Sequence, residues 1–189
     1  MSEMMPGELE LRVYGFGTIE AVPKGFYLVL AVLFVVGTLL LLWRNGLREG
    51  WRYSMLLLLA EWVFLILGIC LLFRESDAER CISLIPLSSY FDIAENTYFL
   101  EKAALNVLNV VMFVPVGLLL GIGFMGMTWK KMYLASLSLS IMIELLQFIL
   151  KRGLCETDDV IHNVLGAAIG FGIYCIIAWV WGKVVGGRY

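Results

Sequence analysis

Apolar residues along this chain come in long unbroken runs rather than in the alternation of a strand or the half-and-half face of a soluble helix. Five runs approach the roughly 20 mostly apolar residues a membrane-spanning helix requires: 25–43, 53–73, 105–127, 132–150 and 160–182. The second is interrupted by Glu61, the third by Asn106, Asn109 and Pro115, and the fourth by Glu144 and Gln147; the fifth opens on His162 and Asn163. The pattern predicts an all-α integral membrane bundle of about five helices. An N-terminal extracytoplasmic segment (1–24) precedes the bundle (25–182), and a short cytoplasmic tail (183–189) follows it. Three of the four connections are short. The exception, 74–104, is mostly polar but contains the apolar stretch CISLIPL, the candidate for a re-entrant or interfacial segment.

Composition agrees with this picture. The chain is 61% hydrophobic and 16% charged, against roughly 45–50% and about 25% for a soluble domain, and its mean hydropathy is +0.88. A net charge of −2 and the lack of a basic stripe exclude a nucleic-acid partner. Residues 1–24 carry four Glu and two basic residues, a poor start for a cleaved signal peptide, so the first apolar run is expected to be retained. No internal repeat points to an inverted-repeat transporter. The four cysteines form no CxxC pair. No cofactor motif is present.

Charge sets the expected orientation. With the N-terminus outside, the inner segments sum to +6 and the outer ones to −6. Basic residues number seven on each side, but the inner ones are packed into short loops beside helix ends, where they count most. Trp43, Trp51, Trp129, Trp179 and Trp181 also fall near the inner ends, as interfacial anchors do. The expectation is a multi-pass membrane protein, N-terminus out and C-terminus in. Cys81 and Cys155 then share the outer side, where a disulfide is a minor reading.

With this orientation the polar residues within the helices gather at the outer end. Asn106 and Asn109 lie in the first turns of the third helix, Glu144 and Gln147 in the last turns of the fourth, and Asp159, His162 and Asn163 at the start of the fifth. Residues three or four apart share a helix face, so Ser136, Ser140, Glu144, Gln147 and Lys151 make one polar stripe. Asp159, Asn163, Gly166 and Gly170 make a second. Gly117-x-x-x-Gly121 and Gly166-x-x-x-Gly170 are close-packing motifs, suited to contacts within one chain or in a homo-oligomer. Glu144 cannot face lipid as an unpaired anion; Lys151, Arg152 and Arg80 are the cations expected on its side.

Simpler roles compete for these residues. Asn106, Asn109 and Gln147 suit interhelical hydrogen bonding. Asp158 and Asp159 suit capping of a helix N-terminus, and His162 suits a partly wetted interface. Glu61 is expected to make a structural, inward-facing polar contact. Glu156, Asp158, Asp159 and His162 lack the second histidine or thiolate pair that a metal site of this kind would need, so no metal is assigned.

Three blocks in the order found here resemble the VanZ-like family of bacterial membrane proteins. They are Asn109 followed by FVPVGLLLG; Glu144-x-x-Gln147 followed by Arg152; and Asp158-Asp159-x-x-x-Asn163-x-x-Gly166-x-x-x-Gly170. A weaker upstream block is Arg80 with SLIPL. The resemblance covers about 80–174, and the step from Arg152 to the acid pair is about a residue longer than the family's common form. It implies a protein of the teicoplanin-resistance type, acting at the outer face on glycopeptide susceptibility, and no established reaction. The candidate binding set is Arg80, Asn106, Asn109, Glu144, Gln147, Arg152, Asp158, Asp159 and Asn163. The expected partners are membrane lipid and a lipid-linked cell-wall precursor or glycopeptide: arginine for phosphate, acids and amides for sugar or peptide. An alternative is a membrane enzyme on a lipid-linked substrate, with Glu144 as acid or base and Asp159 or His162 assisting. A small transporter is the third reading, disfavoured because polar groups occupy only one end.

Overall fold

The computed structural model describes residues 22–74, 81–86 and 99–186. Within them are five helices long and apolar enough to cross a membrane: α1 (Lys24–Leu47), α2 (Glu49–Leu72), α3 (Phe99–Gly123), α4 (Trp129–Leu150) and α5 (Thr157–Gly186). The all-α bundle expected from the apolar runs is the observed architecture, and the chain is a multi-pass membrane protein. The N-terminal segment as far as residue 21, Arg80, and residues 187–189 of the tail lie outside the described residues.

The helix boundaries move where local chemistry overrides hydropathy. α3 starts ahead of the expected 105 because Glu101 and Lys102 occupy a polar first stretch of the helix. It ends at Gly123 because Gly126, at φ 71°, turns the chain. α4 begins three residues before the expected 132, where Thr128 accepts the backbone N–H of Lys131 at 3.4 Å as an N-cap. α5 begins at Thr157, with Asp158 and Asp159 in its first turn beside the positive end of the helix dipole.

α1 and α2 form an antiparallel hairpin. The break between them is at Gly46, whose φ of 72° is left-handed and suits a residue without a Cβ. Just beyond it the two helices touch: a Cβ on Gly50 would lie 2.8 Å from the Leu42 Cα. At the far end Phe26 packs edge-on to Phe73 with centroids 5.1 Å apart.

α3 and α5 run parallel and make the most extensive helix contact. A side-chain carbon on Gly117 would enter the carbonyl of Ala167. One on Gly166 would enter that of Val110, and one on Gly170 that of Val114. Hydrophobic burial does not drive helices together in lipid, so close backbone approach through small residues does. Both Gly-x-x-x-Gly motifs are used for contacts within the chain, Gly121 receiving Tyr174. α4 packs antiparallel to α5, and Ile66, Phe113, Val116, Met132, Ile143, Ala167 and Phe171 form the shared core. Around Pro115, which removes an N–H and crowds the preceding turn, the carbonyl of Met112 accepts the Trp62 indole N–H at 2.8 Å.

The two ends of the bundle differ. Trp43, Trp51, Trp129, Trp179 and Trp181 are all exposed at one end. There Arg52 donates to the carbonyl of Gly123 at the close of α3. At the opposite end the stretch CISLIPL supplies a three-residue strand, β1 (Cys81–Ser83), followed by exposed Leu84 and Ile85. β1 pairs in parallel with β2 (Leu154–Glu156) in the α4–α5 connection. The register sets Cys155 opposite Ile82 and Cys81 opposite Leu154. Cys155, one half of the pair considered for a disulfide, is a free thiol, and the side chain of Cys81 lies outside the described residues.

Candidate functional site

The second end of the bundle holds the polar residues. α4 buries Ser136, Ser140, Glu144 and Gln147 along one face, the stripe read from their spacing. Lys151, the stripe's last member, leaves the helix in the left-handed conformation (φ 56°, ψ 45°), and the following Gly153 has a φ of 112°. These two residues turn the chain so that β2 lies back over the end of α4. The turn brings the backbone N–H of Glu156 to the Glu144 carboxylate, which accepts it at 3.0 Å while only 5% exposed.

α5 brings its first turns to the same place. Asp159 accepts a hydrogen bond from the Asn109 amide of α3 at 2.7 Å. Asn163 donates to the Ser140 hydroxyl of α4 at 2.9 Å. Asp158 and His162 are buried as well, so His162 is not the wetted interfacial residue expected from the sequence. Asn106 is buried one turn from Asn109 on α3. Three helices therefore meet through carboxylate, amide and hydroxyl groups at one depth.

The end of α2 completes the site, and here two residues have roles that the sequence did not indicate. The helix widens into a π-turn over Gly68–Leu72. Its last carbonyls have no further turn to bond to. Arg152 supplies the donors: its Nη1 bonds the carbonyls of Leu71 and Leu72, the latter at 2.8 Å. The Gln147 Nε2 faces the carbonyl of Cys70 at 3.5 Å. Arg152, expected as a phosphate ligand, is thus engaged in tying the α4–α5 connection to α2.

Arg74, immediately beyond α2, is the cation the sequence reading passed over. It lies within electrostatic range of both Glu144 and Asp159, and its guanidinium covers Gly153, where any Cβ would collide with it. In the sequence it looks like an ordinary flanking charge, and only its place at the polar end of a span hinted at more. The Cys155 thiol sits at the rim. Burial pushes its pKa up, and the negative charges of Glu144, Asp159 and Glu156 push in the same direction.

Glu61 does not belong to this cluster. It lies midway along α2, and its Oε1 is buried with no hydrogen-bond partner among the described residues.

The fold and this end define a class: a small multi-pass helical membrane protein with a desolvated polar cluster built from its last three spans and the turn between two of them. A sequence model of the VanZ/LLP1 family matches residues 25–178, and the chain belongs to that family. It is similar to Protein VanZ of Enterococcus faecium, with 36% identity over 66 residues, 35% of this chain and 41% of the relative. The match therefore spans about two-fifths of that relative's length. No solved structure matches the chain.

Proposed function

We propose that this protein lowers susceptibility to teicoplanin or related glycopeptides from the outer face of the bacterial plasma membrane. In this reading the polar end binds the head of a membrane lipid or lipid-linked envelope precursor. The observation that carries the reading is the convergence of Asn109, Glu144, Asp159, Asn163 and Arg74 from separate elements at one end of an otherwise apolar bundle. Polar groups placed at membrane depth are costly and mark functional positions. Family membership, with a relative named Protein VanZ, supports the resistance role.

The test is complementation. The chain and its variants are expressed in a glycopeptide-susceptible bacterium, and teicoplanin susceptibility is measured at matched membrane abundance. Asp159→Asn, Arg74→Gln and Arg80→Gln are each expected to reduce protection in part, as a binding surface with distributed contacts should. Unchanged protection in all three would sink the site assignment. Complete loss confined to Glu144→Gln, with the others silent, would favour an enzyme that uses Glu144 as acid or base.

A further inference from the structure

Gln147 is 3% exposed, and its amide can be oriented without ambiguity. The Nε2 side faces the Cys70 carbonyl, which only accepts, so the nitrogen must lie there and the Oε1 must point away. That Oε1 is buried and has no hydrogen-bond partner among the described residues. A buried acceptor without a donor costs roughly 1–3 kcal/mol, which a ligand donor would recover.

The surroundings of Gln147 narrow the chemistry of that donor. Glu144 lies three residues earlier on the same face of α4. Cys70, whose carbonyl holds Gln147, is in electrostatic range of Glu144, Asp159 and Arg74. Among the described residues, Glu156 N–H binds Glu144 Oε2, and Asn109 binds Asp159 Oδ1. Four carboxylates, those of Glu144, Glu156, Asp158 and Asp159, gather here with the cations Arg74, Lys151 and Arg152, and Nη1 of Arg152 is given to the α2 carbonyls. A phosphate would add acceptors and negative charge to a place rich in both. An ammonium supplies three donors and the opposite charge.

Building on the binding reading above, we propose that the group held at this end is a primary ammonium, with Gln147 Oε1 and the carboxylates of Glu144 and Asp159 as its acceptors.

The experiment uses the purified full chain in phosphatidylcholine nanodiscs, a background whose headgroup has no N–H donor. Thermal unfolding is followed after doping with phosphatidylethanolamine, with its N-acetylated form or with phosphatidylglycerol. Free ethanolamine is a further arm. Phosphatidylethanolamine is expected to raise the melting temperature by several degrees through binding to the folded state; its N-acetylated form and phosphatidylglycerol are not. A matching shift with free ethanolamine assigns recognition to the ammonium alone, and a shift with the lipid only assigns it to the ammonium within a lipid headgroup. Gln147→Leu should abolish the shift, and Gln147→Glu, which keeps an acceptor in place, should retain it. Equal shifts for phosphatidylethanolamine and phosphatidylglycerol would overturn the ammonium assignment while leaving a headgroup-binding site standing. No shift with any probe, together with unchanged teicoplanin protection in the Asp159, Arg74 and Arg80 variants, would remove the binding reading itself.

Discussion

Around Cys155 the local field works against the thiolate, the species that reacts with maleimides. Its pKa is raised, so at neutral pH a smaller fraction is ionised than for a free cysteine, and labelling should be slow. The rate should climb as pH rises and continue to climb past the ordinary thiol range of about 8.5. Glu156→Gln removes one of the negative neighbours and should accelerate labelling at a fixed pH of about 8; an unchanged rate would show that Glu156 does not contribute to the raised pKa. Arg152 gives a second test at this scale. Arg152→Met leaves the Leu71 and Leu72 carbonyls without their donor and should destabilise the detergent-solubilised protein by about 1–3 kcal/mol. A melting temperature equal to that of the parent would show that these carbonyls find another donor. Arg152 was legible as a cation at the polar end. Its attachment to α2 was not, because the carbonyls it bonds lie about eighty positions away in the sequence.

Among the helices, α3 and α5 form the tightest pair. Gly117→Ala places a carbon inside the Ala167 carbonyl, so the helices must separate. The expected loss is about 1–3 kcal/mol, as for overpacking elsewhere, and exceeds the gain of roughly 1 kcal/mol that alanine brings to a helix interior. Gly182→Ala is the control: nothing lies within 4 Å of its added carbon. It should be neutral or stabilising when the two variants are compared by thermal unfolding in detergent. The stripe on α4 could be read from its spacing because a helix face repeats at three and four residues. The apolar run also placed the end of α4 at Leu150, so that Lys151, the last member of the stripe, is where the chain leaves the helix.

For the molecule as a whole, the membrane orientation is an expectation from charge rather than from packing. The tryptophan end carries Arg44, Arg52, Lys130, Lys131 and Lys183, and is expected inside. With Cys70, Cys81 and Cys175 replaced by serine, Cys155 should be labelled by a membrane-impermeant maleimide in intact cells. Long exposure is needed because its thiol is weakly ionised. Labelling only after lysis would place the polar end in the cytoplasm and end the outer-face reading.

By itself the sequence determined the number of spans, the end at which the polar residues collect, the face of α4 they occupy and the glycines at which helices meet. Each of these follows from composition or from a short period along one helix, and no neighbour is needed to define it. The tertiary structure decided the partners. Asn109 meets Asp159 and Asn163 meets Ser140 because α3, α4 and α5 are in register. Glu144 receives a backbone N–H because the Lys151–Gly153 turn folds β2 over it. Arg74 joins the acids because α2 ends beside that turn. These contacts join residues from about a dozen to more than eighty positions apart, and local periodicity carries no information over such distances.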